Sequence, residues 1–539
     1  MTATLGPRGA ALVRDVVARA DDPADPMSRT DALIVVTPAD VELVLHPQAG
    51  SAAGEVLAVG IGASPGVASG VAVFDSWRAL DLVDEGARVI LVRPETSPAD
   101  EPGMAVAEGV LTSSGGLASH AAVVARGRGL PAVCGADSLQ IGADSLTTAT
   151  GLVIREGDAI SIDGSSGEVL SGLVTVDDHE VPAELDVLLG WADEVRAGAL
   201  AVRANADTAV DAALARAFGA EGIGLCRTEH MFLGADRLPL VQQMILADTP
   251  EGEAAALAEL HVVQRADFEA VLEAMDGLPV TVRLLDPPLH EFLPDVGDLE
   301  VAGARGELDA AGAELLAAAR RWHEHNPMLG VRGVRLAVLK PGLYRMQVRA
   351  LVEAALLRID AGGTPRVQVM IPLVSTAAEL ALARGWVTDA AAEVLGPRAG
   401  ELDLRIGAMV ETPRASLCTG ELVDVADFLS FGTNDLTQMT FGFSRDDVGR
   451  LLDAYLGQGL LAADPFGTLD VDGVGELVRL GVERARDRRP DLEIGVCGEH
   501  GGDPDSIAFF RAVGVDYVSC SPFRVPVARL AAARAVLGA

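Results

Sequence analysis

Cysteine, aromatic residues and long apolar runs are all scarce in this sequence of 539 residues. The five cysteines form no CxxC pair and no Cys/His cluster with zinc spacing, so we expect no disulfide framework, no structural zinc site and a cytoplasmic location. Arg14 and Asp15 interrupt the N-terminal apolar stretch, which argues against a signal peptide. The most apolar segment, 56–74, is rich in glycine and contains Pro65, and it therefore predicts short strands instead of a membrane helix.

Basic residues are also few relative to acidic ones. The sequence has 42 lysines and arginines against 78 aspartates and glutamates, which gives a formal net charge of −36 at pH 7. Nucleic acid and anionic membranes would be repelled by this charge, so neither is an expected partner. A small anionic substrate stays compatible with it, because a few arginines in one cleft can reverse the local field.

The abundant residues are alanine, glycine, valine and leucine, the usual material of α/β cores. We predict that segment 1–54 contains short helices, including Pro38–Leu45, which cannot bury a core alone. Segment 55–175 alternates short β-rich runs with Gly/Pro turns, has one helix at 119–128, and predicts a compact α/β domain. An acidic linker, 176–198, with a helix at 187–196, leads to the last segment, 199–539.

The last segment alternates candidate strands with helical patterns. Eight runs have strand character, at 200–204, 222–226, 280–284, 330–334, 367–371, 405–409, 428–430 and 493–496, and most are separated by helices such as 208–218, 342–357 and 474–486. Such fragments also suit a doubly wound sheet, but the count of eight and the positions of the polar residues favour a (β/α)₈ TIM barrel.

Polar residues lie in the predicted strands near their ends or just past them. They are Arg227, Arg283, Asp286, Arg332, Glu411, Asn434, Asp435 and Cys497. Active sites of such barrels lie at the C-terminal ends of the strands, so these side chains are expected to share one rim. Taken singly, each has an ordinary structural explanation, such as a surface ion pair, a helix cap or a buried thiol. Together they predict a site for a small molecule with phosphate and carboxylate groups, where Glu411 and Asp435 suit Mg²⁺.

A second candidate site lies in the motif GGLASHAA. Ser119 is a suitable N-cap, and His120 then stands at a helix N-terminus, where the dipole and unpaired N–H groups favour an anion. A phosphoryl group on the His120 ring would be stabilised there, with Arg126 nearby. A single histidine at a helix start is also common as plain polar surface, so the pattern alone leaves both interpretations open.

The motifs resemble the phosphoenolpyruvate-utilising enzyme family, and most of all its pyruvate phosphate dikinase branch. GGLASHAAVVARGRGLPAVCG resembles the family's phosphohistidine signature, and the long blocks GIGLCRTEHMF, VTVRLLDPPLHEFLP, NPMLGVRGVRL, MVETPRA, FGTNDLTQMTFGFSRDDVG, GVCGEHGG and YVSCSPFRVPVARL resemble successive parts of its barrel. The resemblance implies a small, swivelling phosphohistidine domain followed by a barrel that binds phosphoenolpyruvate or pyruvate. It also implies a homodimer formed through the barrel.

The resemblance implies a role for each matched residue. His120 would carry the phosphoryl group, and Cys497 would exchange a proton with the pyruvate enolate. Substrate would be bound by Arg227, Arg283, Arg332, Glu411, Thr433, Asn434 and Asp435, with Glu411 and Asp435 also ligating Mg²⁺. The implied activity is Mg²⁺-dependent phosphoryl transfer between phosphoenolpyruvate or pyruvate and His120, which is one half-reaction of a dikinase.

Two departures from the family pattern modify this expectation. Ala118 stands where the dikinases usually have a regulatory threonine, so control by phosphorylation at that position is not expected, although Ser119 remains. Only about 50 residues precede the first domain, too few for an ATP-grasp domain of ordinary size. The expectation is that this chain alone does not use ATP, and that a separate nucleotide-binding chain or a phosphoryl-acceptor protein is its partner.

Two alternatives share much of this pattern. An enzyme I-like phosphotransferase would run the same half-reaction and pass the phosphoryl group to another protein. A non-catalytic regulatory paralogue would be expected to have lost rim residues, and none of those named above is lost.

Overall fold

A computed structural model describes residues 9–20, 22–23, 26–46, 54–97, 100–116, 119–174, 181–232, 234, 237–247, 249–445 and 447–539. Its first elements are the helices α1 (Gly9–Ala20), α2 (Arg29–Val35) and α3 (Pro38–Leu45). The predicted helix Pro38–Leu45 is confirmed as α3. A capping box fixes its start. The backbone N–H of Asp40 donates to the Thr37 hydroxyl at 3.3 Å, and the backbone N–H of Thr37 donates to the Asp40 carboxylate at 3.0 Å.

A small α/β domain follows. Its strands are β1 (Val56–Val59), β2 (Ile61–Ser64), β3 (Val67–Val73), β4 (Val89–Arg93), β5 (Gly109–Thr112), β6 (Ala132–Cys134), β7 (Gln140–Ile141), β8 (Ser145–Thr147), β9 (Val153–Arg155), β10 (Ala159–Asp163) and β11 (Glu168–Ser171). Its helices are α4 (Ser76–Asp84), α5 (Glu101–Val106) and α6 (His120–Arg128). Eight strands form one mixed sheet in the order β1-β11-β10-β3-β4-β5-β6-β2, and β7-β8-β9 form a small antiparallel sheet.

The last segment closes into a barrel of eight parallel strands. They are β12 (Ala201–Asn205), β13 (Ile223–Arg227), β14 (Pro279–Arg283), β15 (Arg366–Ile371), β16 (Asp403–Val410), β17 (Phe428–Phe431), β18 (Glu493–Val496) and β19 (Tyr517–Cys520). Each strand pairs with the next in sequence, and β19 pairs with β12 to close the barrel. The strands are buried almost throughout, because side chains fill the interior and helices cover the outside.

Helices precede, connect and follow these strands. They are α7 (Glu184–Arg196), α8 (Ala209–Ala217), α9 (Leu238–Leu246), α10 (Pro250–Ala274), α11 (Val296–Ala304), α12 (Ala310–Trp322), α13 (Gly333–Leu339), α14 (Pro341–Asp360), α15 (Ala377–Leu395), α16 (Pro413–Leu417), α17 (Thr419–Leu422), α18 (Thr433–Phe441), α19 (Gly449–Gly457), α20 (Glu476–Arg488), α21 (Pro504–Val513) and α22 (Val525–Leu537). Helices α1, α2, α3 and α7 share one apolar cluster with α22, so the N-terminal helices bury their core against the end of the chain.

One of the eight predicted strands is wrong. Residues 330–334 form no strand, because a 3₁₀ turn spans Pro327–Leu329 and α13 begins at Gly333, whose φ of 54° lies in the left-handed region. The strand that completes the barrel is β19, which the sequence pattern missed since its four residues are all buried and show no alternation. The other seven predicted strands are confirmed within a few residues at each end. None of the helices in the described part of the chain combines the length and apolarity needed to cross a membrane.

Candidate active site

The C-terminal ends of the barrel strands bring most of the predicted residues together. Arg227 and Arg283 are the last residues of neighbouring strands β13 and β14, and their Cα atoms are partners in the register. Glu411 follows β16 directly, and Cys497 follows β18. Arg332 reaches the same rim from the N-terminus of α13, not from a strand as predicted.

Arginines and carboxylates form a continuous network at this rim. Arg283 forms ion pairs with Glu229 and, at 3.1 Å, with Asp286. Arg332 pairs with the same Asp286 and, at 3.0 Å, with Asp435. Burial alone would lower the pKa of both guanidiniums, but the adjacent carboxylates outweigh it and raise the pKa of each. Both side chains therefore remain cations at any working pH.

Glu411 carries the least compensated charge of the network. Its side chain is 1% exposed, and its Oε1 accepts a hydrogen bond of 2.6 Å from the backbone N–H of Leu373. Burial and repulsion from Asp286 and Asp435 raise its pKa well above the ordinary value, even though Arg283 and Arg332 act in the opposite direction. Leu373 has a φ of 54°, which directs its N–H toward this carboxylate at a cost in backbone strain.

Cys497 lies in an apolar pocket at the centre of the rim. Its thiol packs with Leu225, Met370, Met409 and Phe428. Burial raises the pKa of the thiol to about 11, so the thiol holds its proton at neutral pH. The backbone is fixed as well, because the Cys497 N–H donates to the Phe431 carbonyl at 3.0 Å.

Thr433 and Asn434 open helix α18 at the end of β17, and each contacts the loop after β18. The Nδ1 atom of His500 lies 2.7 Å from the Thr433 hydroxyl, and its Nε2–H donates to the Pro465 carbonyl at 2.8 Å. The Thr433 hydroxyl is consequently the donor in the first contact. The Asn434 side-chain oxygen accepts from the Glu499 backbone N–H at 3.0 Å. These bonds fix the start of α18 and so position Asp435.

Several rim residues were not predicted from the sequence. Asp207, two residues after β12, accepts from the Arg227 backbone N–H at 2.5 Å and contacts His230 Nδ1 at 2.8 Å. Glu229 pairs with Arg283. The signal for Asp207 was present, since it follows a predicted strand in the same way as Arg227. His230 begins the short 3₁₀ helix His230–Phe232 and Glu229 lies in the turn directly before it, a region that no strand pattern indicates.

In the small domain, His120 is the first residue of α6, as predicted. Ser119 caps the helix by accepting from the Ala122 N–H at 3.4 Å. The Nδ1 atom of His120 lies 3.1 Å from the Thr96 hydroxyl, while its Nε2 atom lies 3.6 Å from a carboxylate oxygen of Glu101. That separation exceeds a hydrogen bond, so Nε2 is a buried nitrogen without a hydrogen-bond partner among the described residues. Ala118 and Leu117 lie outside the described residues.

The small domain contacts the barrel through the end of α6. Gly129 closes α6 with a φ of 64°, and a Cβ atom there would lie 2.6 Å from the ring of Phe523, just before α22. Phe523 in turn packs on Phe218, with ring centroids 5.9 Å apart. The buried guanidinium of Arg126 interacts electrostatically with Glu499 of the barrel rim. The helix that begins with His120 is therefore docked at the side of the barrel that holds the strand ends.

The rim has donors that suit a divalent cation. Glu411, Asp286 and Asp435 repel one another, and a bound cation would relieve that repulsion. Among the described residues, however, no three histidine, cysteine, aspartate or glutamate side chains converge closely enough to hold a metal ion by themselves.

Comparison with known families identifies the fold. Residues 184–537 match the PEP-binding domain of PEP-utilising enzymes, and residues 86–167 match their mobile domain. The chain belongs to the phosphoenolpyruvate-utilising enzyme family.

The similar curated proteins share a name. Over 95% of its length, this chain is 48% identical to a pyruvate, phosphate dikinase of Rhizobium meliloti and 48% identical to the chloroplastic pyruvate, phosphate dikinase 1 of Arabidopsis thaliana. It is 49% identical to pyruvate, phosphate dikinase 1 of Oryza sativa subsp. japonica. The chain spans only 57%, 53% and 54% of the length of these relatives, respectively.

Proposed function

We propose that the chain transfers a phosphoryl group between phosphoenolpyruvate and His120, with pyruvate as the other product or substrate. The observation that carries this proposal is the position of His120 in the small domain relative to the rim of the barrel. His120, whose Nε2 has no hydrogen-bond partner in the described part of the chain, opens a helix docked at the barrel, and the barrel rim holds the ion-paired Arg283 and Arg332 together with the protonated thiol of Cys497. The naming of the curated relatives supports the choice of substrates. We assign segment 55–175 to the mobile domain and 199–539 to the barrel, with 1–54 and 176–198 as connecting segments.

In the forward direction, the lone pair of His120 Nε2 forms a bond to phosphorus, and the bond from phosphorus to the enol oxygen breaks. The proton on Nδ1 stays with the ring and is directed at the Thr96 hydroxyl. The departing enolate takes a proton on carbon from the Cys497 thiol, which becomes a thiolate. The apolar pocket around that thiol keeps the proton in place until the enolate forms.

The rim residues would bind and orient the substrate. Arg227, Arg283 and Arg332 are suited to the phosphate oxygens, because a guanidinium donates two parallel hydrogen bonds to such an anion. Thr433 and Asn434 begin α18 at the same end of the barrel and are assigned to the substrate carboxylate. Arg283 and Arg332 are held by ion pairs with Glu229 and Asp286, which limits the freedom of both guanidiniums before substrate binds.

Glu411 and Asp435 would hold Mg²⁺. Mg²⁺ binds commonly through one or two carboxylates, with the remaining positions filled by substrate oxygens and water, so two protein ligands are sufficient. When bound, the ion would supply positive charge to the phosphate and enolate oxygens.

The test is incubation of the purified chain with ³²P-phosphoenolpyruvate and Mg²⁺, followed by mapping of acid-labile label. We expect label on His120 and none in His120→Ala. His261→Ala is the matched control, because His261 lies on α10, away from the rim, and pairs with Glu353. Label that persisted in a folded His120→Ala protein would contradict the proposal.

A further inference from the structure

The ring of His120 is held between two side chains that precede it in the small domain. Thr96 contacts Nδ1 at 3.1 Å, and Glu101, the first residue of α5, brings a carboxylate oxygen to 3.6 Å from Nε2. The Nε2 atom is buried and has no hydrogen-bond partner among the described residues. The nitrogen proposed to take the phosphoryl group is thus the one that faces a carboxylate.

The Glu101 carboxylate has opposite electrostatic effects on the unphosphorylated and the phosphorylated forms of His120. A carboxylate at 3.6 Å from Nε2 attracts the ring when that nitrogen carries a proton, and this proton has to leave before Nε2 can attack phosphorus. A phosphoryl group on Nε2 carries nearly two negative charges and three oxygens, and it would occupy the space next to the Glu101 carboxylate. Like charges at that separation repel, so Glu101 has to turn away or raise the free energy of the phosphorylated ring.

The barrel offers Glu101 a second electrostatic partner. The pKa of the Glu101 carboxyl is lowered, first by its contact with His120 and also by His230 on the barrel rim, although burial opposes both. His230 is held by Asp207, whose carboxylate lies 2.8 Å from its Nδ1 and helps to raise its pKa against the effect of burial. Glu101 therefore lies where the small domain meets the barrel.

We propose that Glu101 is a positioning residue that binds unphosphorylated His120 and destabilises phosphorylated His120. It holds the resting ring through a proton on Nε2, and after the transfer its charge favours return of the phosphoryl group or its passage to the next acceptor. The inference rests on the proposed function, since it assumes that Nε2 is phosphorylated.

The experiment measures the equilibrium between free and phosphorylated His120 at fixed ratios of ³²P-phosphoenolpyruvate to pyruvate. Glu101→Gln keeps the shape of the side chain and removes its charge. The side chain is 37% exposed, so the water-like limit applies, and two charges about 4 Å apart then contribute about 1 kcal/mol, or about fivefold. We expect the equilibrium constant for phosphorylation to rise by about fivefold in Glu101→Gln, and by a similar factor in Glu101→Ala.

Three controls separate charge from structure. Glu101→Asp retains the charge and should remain near the wild-type constant. Glu108→Gln removes a charge from the same domain, where Glu108 forms an exposed pair with Arg88 at 3.2 Å, and should change nothing. The effect of Glu101→Gln should shrink at high salt, because the Debye length falls to about 3 Å at 1 M.

The two hypotheses fail in different ways. If wild-type His120 takes no label, the proposed function is wrong and this inference falls with it. If wild type and both uncharged variants take label with equal equilibrium constants, the role of Glu101 is wrong while the proposed function stands. A lower constant in Glu101→Gln would also overturn the inference, because it would mean that the carboxylate stabilises the phosphorylated state.

Discussion

The half-buried Glu493 and the buried Glu411 lie at opposite ends of the barrel and have opposite electrostatic surroundings. Glu493 begins β18 at the N-terminal end, forms ion pairs with Arg203 and Arg405, and accepts from Gln368 at 3.1 Å. Burial would raise its pKa, but the two arginines dominate and lower it. Glu411 lies at the C-terminal end, where burial and two further carboxylates raise its pKa well above the ordinary value. The Glu493 carboxylate therefore stabilises the fold, whereas the charge of Glu411 opposes it.

The prediction is that Glu411→Gln stabilises the metal-free protein while it abolishes labelling of His120. Because burial and two neighbouring carboxylates oppose the charge of Glu411, replacing it by a neutral amide should raise the free energy of unfolding by about 1–3 kcal/mol, the usual cost of a buried group whose polarity is not compensated. The Leu373 N–H keeps an acceptor, because the glutamine oxygen can take the place of the carboxylate oxygen. Mg²⁺ should raise the stability of wild type and leave Glu411→Gln unchanged.

Glu493→Gln is the matched control, since it makes the same chemical change in the same barrel. It should lower the free energy of unfolding by about 1–3 kcal/mol, because it leaves the buried guanidinium of Arg203 and the partly exposed one of Arg405 without their charge partner. The pKa of Glu493 is lower in the folded chain, so its contribution to stability is present above its unfolded pKa of about 4.3 and is lost as the pH falls through the folded pKa. The variant should lose that dependence on pH.

The assay is urea unfolding followed by circular dichroism, in EDTA and in excess Mg²⁺, for wild type and both variants. The expected order of stability in EDTA is Glu411→Gln, wild type, Glu493→Gln. A result in which Glu411→Gln is less stable than wild type without metal, by as much as Glu493→Gln, would refute the argument. It would mean that Arg283 and Arg332 already compensate the Glu411 charge in full.

Two other substitutions test the thiol and the contact between domains. Cys497→Ala should keep phosphoenolpyruvate binding but block pyruvate release, and a rate of pyruvate release equal to wild type would exclude Cys497 as the proton donor. In wild type, the thiol should resist iodoacetamide at pH 8, because its pKa is about 11. The stability due to this thiol is complete below its unfolded pKa of about 8.5 and is lost as the pH rises through about 11. Gly129→Ala should slow labelling of His120, because the added Cβ atom would overlap with the ring of Phe523. Gly514→Ala is the control: Gly514 has the same left-handed backbone, but an added Cβ atom there has nothing within 4 Å, so this variant should lower stability slightly without slowing the labelling. Equal labelling rates in the two variants would contradict the docked arrangement.

The sequence pattern predicted those parts of the fold that depend on local signals. Seven of the eight predicted strands, the capped start of α6 at His120 and the gathering of polar residues at strand ends all follow from periodicity, capping and the direction of parallel strands. Residues 330–334 were predicted as a strand because valine and arginine alternate there between glycines. The left-handed backbone of Gly333 shows that the chain instead turns into helix α13. Arg332 still reached the rim, by a different element.

What the sequence could not predict was which charged groups meet across long separations. Asp286 joins Arg283 to Arg332, and the pairing with Arg332 crosses 46 residues. Glu101 meets His120 although neither neighbourhood suggests the other. These contacts set the electrostatics of the site, because a guanidinium held by a shared carboxylate stays charged and oriented. In the proposed reaction, a carboxylate beside His120 would also change the free energy of the ring when it gains a phosphoryl group. The residue types at a site follow from local pattern, but their charge states and transfer energies follow from the fold that brings distant groups together. Measurements on Glu101 and Glu411 therefore test the three-dimensional arrangement itself, since no sequence motif alone predicts the direction of either effect.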